Sequence, residues 1–267
     1  MILSRRVSLN SVYLDELDDR IVISGIEIGD GRENIASVDT AAGFGQRVTS
    51  SKRVSLDVVI KFRLLQRSRK EAWMRERSRL LEMVNAWAAP GGNLRVNYKS
   101  GRRLNVILAQ APGEGSLWDY TKEFQLVFRA YTIPYWEDNT ASSVQTGGGS
   151  SSGSKAVEIT GSAPTQCNVE LANTSGAKID ECTVTIGDSK MTFENLGLAG
   201  HETLVIDHSN GLLRLRIRNA GGTHRSVMNK RTTGSANDFR LDPGIYTGSF
   251  SAKRACQMTI SWRNRYL

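Results

Sequence analysis

The chain has 267 residues, enough for one large domain or two ordinary ones, each able to bury a core. Hydrophobic residues at 39% and charged residues at 23% exclude a disordered chain, and no apolar run approaches membrane-spanning length. The net charge of +8 is divided evenly: 21 Lys+Arg against 17 Asp+Glu in residues 1–139, and 14 against 10 in residues 140–267. A nucleic-acid reader concentrates its excess on one patch, so this balance argues against that class.

The opening residues lack a basic segment followed by an apolar stretch, so synthesis in a cytoplasm without a secretory signal is expected. Residues 5–14 and 20–28 read as short strands around an acidic turn with Asp15, Glu16, Asp18 and Asp19. Such a turn ordinarily faces water; a calcium site or a carboxylate pair is the alternative. Residues 29–34 form a further turn, and residues 43–45 mark a bend. Val54, Leu56, Val58, Ile60 and Phe62 then alternate with polar residues, the period of a half-buried strand over residues 54–64.

The period then lengthens. Trp73, Leu80, Val84 and Trp87, widened by Ala72, Met83 and Ala88, predict an amphipathic helix. Ser68 is placed to cap its start, and Pro90-Gly91-Gly92 stops it. Strands are expected over residues 94–98, 103–110 and 122–131, with a hairpin turn at residues 99–102. Residues 140–155 are so rich in Gly and Ser that they read as a flexible linker. Beyond it, strands are expected over residues 182–186, 191–196, 202–207, 212–218, 244–251 and 256–262, with a tight turn at Asn210-Gly211. The fold class is therefore mainly β. A β-sandwich-like domain with one long helix occupies residues 1–139, and a jelly-roll-like β-sandwich occupies residues 156–267.

Catalytic chemistry finds little to stand on. His201, His208 and His224 form no metal-binding pattern, and there is no nucleophile elbow, Walker loop or dinucleotide loop. Neither catalytic residues, a metal nor a cofactor is expected. Cys167, Cys182 and Cys256 are odd in number and fit no zinc spacing; they read as small apolar strand residues, with a Cys167–Cys182 bridge as the alternative.

Two groups of arginines stand out. Arg69, Arg75, Arg77 and Arg79 on the helix either cover its apolar face with their stems or meet carboxylates of a neighbouring subunit. Arg214, Arg216 and Arg218 alternate with Leu213, Leu215 and Ile217, which gives one basic strand face. That face is either merely solvated or docks a protein partner, phosphate or saccharide. Trp262 shares its parity with Ile260 and is expected in the core.

The order of strand, Arg-rich helix, Pro90-Gly91-Gly92, Leu94-Arg95-Val96-Asn97-Tyr98 and a segment ending Phe128-Arg129-Ala130-Tyr131-Thr132-Ile133-Pro134-Tyr135-Trp136-Glu137-Asp138 resembles the distal tail (Dit) proteins of siphophages over residues 1–139. The second half, from Asp242-Pro243-Gly244 to Tyr266, is similar to the galectin-like or carbohydrate-module-like domain that such proteins carry. The resemblance implies a non-enzymatic structural protein of the virion tail tip. Six copies would form a hexameric ring between the tail tube protein and a tail-tip or tail-associated lysin protein. The second domain would hold receptor-binding proteins or touch cell-wall saccharide, with no direct nucleic-acid binding and no membrane insertion. A carbohydrate-binding protein with an accessory β domain is the competing reading, and a wall hydrolase a third.

Overall fold

Antiparallel strands and one α-helix dominate the computed structural model, which describes residues 6–39, 46–113, 123–208 and 212–267. The bend at residues 43–45, the Asn210-Gly211 turn and the outer residues of the runs at 5–14 and 122–131 lie outside the described residues. The chain divides into two units, Met1–Trp136 and Glu137–Leu267.

In the first unit the strands are β1 (Val7–Leu9), β2 (Val12–Tyr13), β3 (Ile21–Ile28), β4 (Arg32–Asp39) and β5 (Gln46–Leu64). Helix α1 (Lys70–Ala88) follows, then β6 (Gly92–Val96), β7 (Arg102–Gln110) and β8 (Phe124–Ala130). They pair in the order β2-β1-β6-β7-β8-β5-β3, with β4 also alongside β5. Alternation sets the faces: Leu56, Val58, Ile60 and Phe62 on β5 and Phe124, Leu126 and Phe128 on β8 are all buried. Helix α1 covers that face with Trp73, Leu80, Leu81, Val84 and Ala88, and the Trp87 ring meets Phe128 edge-on at 6.0 Å. Each such aliphatic or aromatic side chain contributes about 1.5–3 kcal/mol on full burial.

Residues 5–14, read as one run, are broken by a turn. Asn10 and Ser11 both adopt left-handed conformations, φ 51° and 72°, so β1 folds back onto β2. The Asn10 amide then reaches across to the helix exit: Nδ2 donates to Gly91 O at 2.8 Å, and Oδ1 accepts the Asn93 N–H at 2.9 Å. Ser68 does not cap the helix. The N-cap is Arg69, without a side-chain cap bond, and the Ser68 hydroxyl donates to Glu76 instead at 2.8 Å.

Strand β9 (Trp136–Asp138) straddles the division between the units. The second unit continues with β10 (Ser142–Ile159), β11 (Thr165–Gln166), β12 (Asn168–Asn173), β13 (Cys182–Ile186) and β14 (Ser189–Phe193). There follow β15 (Thr203–Asp207), β16 (Arg214–Arg218), β17 (His224–Ser226), β18 (Arg240–Leu241), β19 (Gly244–Trp262) and β20 (Arg265–Tyr266). The main sheet runs β14-β13-β19-β12-β15-β16-β17, with β10 on the other edge of β19. The runs 244–251 and 256–262, expected as two strands, are one. Its first part pairs with β13 and its last part with β12. The sheet curls about this strand, so Val184, Ile186 and Phe250 share one core with Val169, Leu171, Met258 and Ile260.

The Gly/Ser-rich residues 140–155 are not a linker. Most of them belong to β10, paired with β19 from Ser142–Trp262 to Ile159–Gly244. Composition misleads here because the ladder is made by backbone groups. The glycines are needed for close approach: at Gly147, φ +89°, a methyl group would strike the carbonyl oxygen of Cys256 and the Phe250 ring. The register shifts at Ser150 and Ser152 mark where the strand bends with the curl.

Candidate assembly surfaces

No group of three or more His, Cys, Asp or Glu side chains is placed to hold a metal among the described residues. His201 and His224 are exposed on separate segments. His208 is buried in the second unit, its Nδ1 3.0 Å from Cys167 O, and burial lowers its pKa. All three cysteines are free and buried, which excludes the Cys167–Cys182 bridge in this structure. Desolvation pushes their thiols up to about 12 for Cys167 and Cys182 and about 11 for Cys256.

The acidic turn is neutralised by arginines. Arg6 binds Asp15 at 2.8 Å and Glu16 at 2.7 Å, and Arg67 binds Asp19 at 2.5 Å. Arg20 grips Asp18 through two nitrogens at 2.8 Å and also reaches Glu76 on α1 at 3.1 Å. These hydrogen bonds hold the Asp18 carboxyl well below the usual carboxylate range. The turn is therefore a structural tie between β3 and the helix.

The most unusual feature of the first unit is an arm. Strand β8 accompanies β5 only from Leu56 to Phe62, and β3 only from Val58 to Leu64. From Ser55 to Gln46, β5 pairs with β4 alone among the described residues, from Arg32 to Asp39. Eight residues of β4 carry this two-stranded ribbon outward by roughly 26 Å, at about 3.3 Å per residue. Residues 32–37 are all exposed, Ile35 at 57%. Val54, at the root of the arm, is exposed although it keeps the alternation of β5; among the described residues no third strand pairs with β5 there.

Beside the arm's root, the sheet face turned away from α1 carries a two-bonded ion pair. Arg129 Nε and Nη2 donate to the two carboxylate oxygens of Asp57 at 2.5 and 2.7 Å, with Arg32 at 3.9 Å. The Arg129 guanidinium lies 5.6 Å over the Tyr131 ring, and Ile107, Arg129's partner in β7, is 54% exposed. A paired arginine among an exposed tyrosine and isoleucine has the composition of an interface centre. Sequence reasoning missed it. The signal was there: the positions of residues 54–64 that alternate with the buried ones include Asp57, Lys61 and Arg63.

The helix arginines separate. Arg75 and Arg79 lie one turn apart on an exposed stripe with Glu71 and Glu82, and Arg69 is exposed at the cap. Arg77 is not available as expected: it is 7% exposed, with its guanidinium 5.2 Å over Phe124. On β16, Leu215 and Ile217 are buried and the arginines face outward, but the row is largely compensated. Arg216 pairs with Asp207 at 3.2 Å and Arg218 with Glu170 at 2.8 Å, while Arg214 is exposed.

No model of a known protein family matches the sequence, and no curated protein matches it. Solved structures do, over nearly the whole chain. The Dit protein of phage SPP1, described as a hub of the adsorption apparatus in phages infecting Gram-positive bacteria, superposes with a TM-score of 0.68 at 13% identity, covering 98% of this chain and 99% of that one. The chain has the fold of a phage Dit hub protein. Two baseplate structures of phage P2 in its activated conformation also match. The one with calcium has a TM-score of 0.52 at 9% identity, and the one with strontium 0.50 at 10%; each covers 97% of this chain and 98% of that one. The Dit fold thus takes in both units, including the strand that composition disguises as a linker.

Proposed function

We propose that this protein is a structural hub of a siphophage tail tip, made in the host cytoplasm, that makes and breaks no covalent bond. Copies of the first unit close into a hexameric ring between the tail tube protein and a tail-tip or lysin protein. The second unit, a galectin-like module in this reading, stands at the periphery and presents receptor-binding proteins or meets host saccharide. The full-length likeness to the SPP1 hub supports the setting.

The observation that carries the reading is the β4–β5 arm. A two-stranded ribbon alone is marginally stable in water, and its open edges invite pairing. Here it extends beyond the sheet with an exposed isoleucine and no covering layer among the described residues. A ring made by head-to-tail contact supplies a receiving surface for such an arm on the next copy. The face around Asp57, Arg129, Tyr131 and Ile107 is the surface of suitable composition.

Light scattering on the full chain tests this, alongside a variant in which residues 33–53 are replaced by a two-residue turn. The wild type is expected at about six times the 29.4 kDa chain mass, and the armless variant as a folded monomer. A wild type that stays monomeric at high concentration, or an armless variant that still forms the ring, overturns the role given to the arm.

A further inference from the structure

The second unit carries a hydroxyl-lined face unrelated to the arginines of β16. Along β13, Cys182, Val184 and Ile186 point into the core, which turns Glu181, Thr183 and Thr185 outward. The registers extend this row across four strands: Thr192, Thr183, Ser251 and Ser152 stand side by side on β14, β13, β19 and β10. The next row is Lys190, Thr185, Ser249 and Ser154. Seven of these eight positions are hydroxyls. Adjacent strands lie about 4.8 Å apart, so the hydroxyls form a regular grid.

At one end the grid sinks into an open depression of about 270 Å³ over Thr183, Thr192 and Ser251, rimmed by Glu181, Glu194 and Lys253. Thr183 and Thr192 are 3.3 Å apart, oxygen to oxygen, and Glu181 pairs with Lys253 at 2.9 Å. The outer edge of β14 is closed by the chain at residues 230–236, whose backbone bonds to Lys190, Thr192 and Glu194. The depression is therefore a feature of one sheet face and not an unfinished strand edge.

We propose that this depression binds an uncharged polyhydroxylated chain, a neutral saccharide. Every floor hydroxyl can both donate and accept a hydrogen bond, which suits a ligand whose own groups do the same. The charges around it nearly cancel: Glu181 is paired with Lys253, and Glu194 on the rim is balanced by Lys190 in the next row, so no excess of either charge is present to draw an ionic ligand. Phe193, the one aromatic residue in the lining, is buried in the core, so no ring face is exposed to stack on a sugar and single-site affinity is weak. A ring would multiply it by presenting several copies at once. The inference gives the peripheral unit of the hub proposed above its ligand class, and rests on that reading for its biological setting alone.

Affinity electrophoresis of the full chain through gels containing a neutral glucan, galactan, rhamnan or N-acetylglucosamine polymer, with poly(glycerol phosphate) as the anionic arm, tests the site. At least one neutral polymer is expected to retard the wild type. The double variant Thr183→Val and Thr192→Val, which keeps side-chain shape and strand preference, should weaken retardation at least tenfold. Arg214→Ala on β16 should leave it within twofold. If the double variant fails to melt cooperatively, Ser251→Ala is read in its place, with a loss of at least threefold expected. Retardation by no neutral polymer, by poly(glycerol phosphate) alone, or undiminished in the hydroxyl variants overturns the proposal. Light scattering keeps the two readings apart: a ring that ignores glycans defeats this site alone, and a monomer that binds them defeats the hub.

Discussion

The Phe250 ring lies against Gly147, close enough that a methyl group on the glycine would stand 2.8 Å from it. Gly147 is also left-handed, φ +89°, and the same methyl would stand closer still to the carbonyl oxygen of Cys256, the residue before its ladder partner Gln257. Gly147→Ala therefore meets two penalties: about 1–2 kcal/mol for the backbone conformation and about 1–3 kcal/mol for overpacking. Urea unfolding of the second unit should report a loss of about 2–5 kcal/mol. Gly149→Ala, where a methyl meets nothing within 4 Å, should change stability by less than about 0.5 kcal/mol.

Acid should unsettle the first unit through Asp57. Hydrogen bonds from Arg129 hold its carboxyl below the ordinary carboxylate value, so the unfolded chain takes up the proton first. The stability this gives is complete above the unfolded pKa near 4 and is lost as pH falls through the folded value. Asp57→Asn should flatten that part of the stability curve between pH 5 and pH 2. Arg129→Lys should keep the charge but lose the two-bonded geometry, lowering the melting temperature at pH 7.

His208 acts at a higher pH in the second unit. Its imidazole is buried and favours the neutral form, so protonation of the unfolded chain begins near pH 6.5 while the folded chain resists. Stability should fall as pH drops from 7 towards 5. In His208→Gln, which can still donate to Cys167 O, the slope over that window should be smaller. An equal slope would mean that another group is responsible.

The three thiols should be silent in the folded protein. With pKa values pushed up to about 11 or 12 and side chains out of contact with water, Cys167, Cys182 and Cys256 present almost no thiolate at pH 8. A colorimetric thiol reagent should find none within minutes in buffer and all three in urea. Prompt labelling in buffer would place one of them at the surface.

The helix arginines divide by role. Arg77→Ala should cost about 1–2 kcal/mol of unfolding free energy, from the lost contact with Phe124 and the stem packing. Arg75→Ala and Arg79→Ala should each stay within about 0.5 kcal/mol in the isolated chain. If these two meet a neighbouring copy, their loss shows in the oligomer mass alone.

Much of this arrangement was legible where side chains carry the period. Residues 54–64 announce a strand because apolar groups recur every second position, and α1 announces itself through Trp73, Leu80 and Val84. The same geometry also told where Arg77 goes: it lies four residues after Trp73 and three before Leu80, on the buried stripe, although its charge suggested the surface. Two things were invisible. The pairing of Ser142–Ile159 with β19 is made by backbone groups that no composition records. The carboxylates that compensate the β16 arginines sit on other strands, Glu170 two strands away, and only the folded sheet brings them together.

Strand β10 is made early and completed late. Its partners run from Gly244 to Trp262, so on the ribosome it must wait through the synthesis of every intervening strand before its ladder can close. An apolar strand left solitary for so long would be an aggregation hazard. Serine and glycine make the delay harmless, which gives the monotony of this segment a role in biogenesis as well as in the finished sheet.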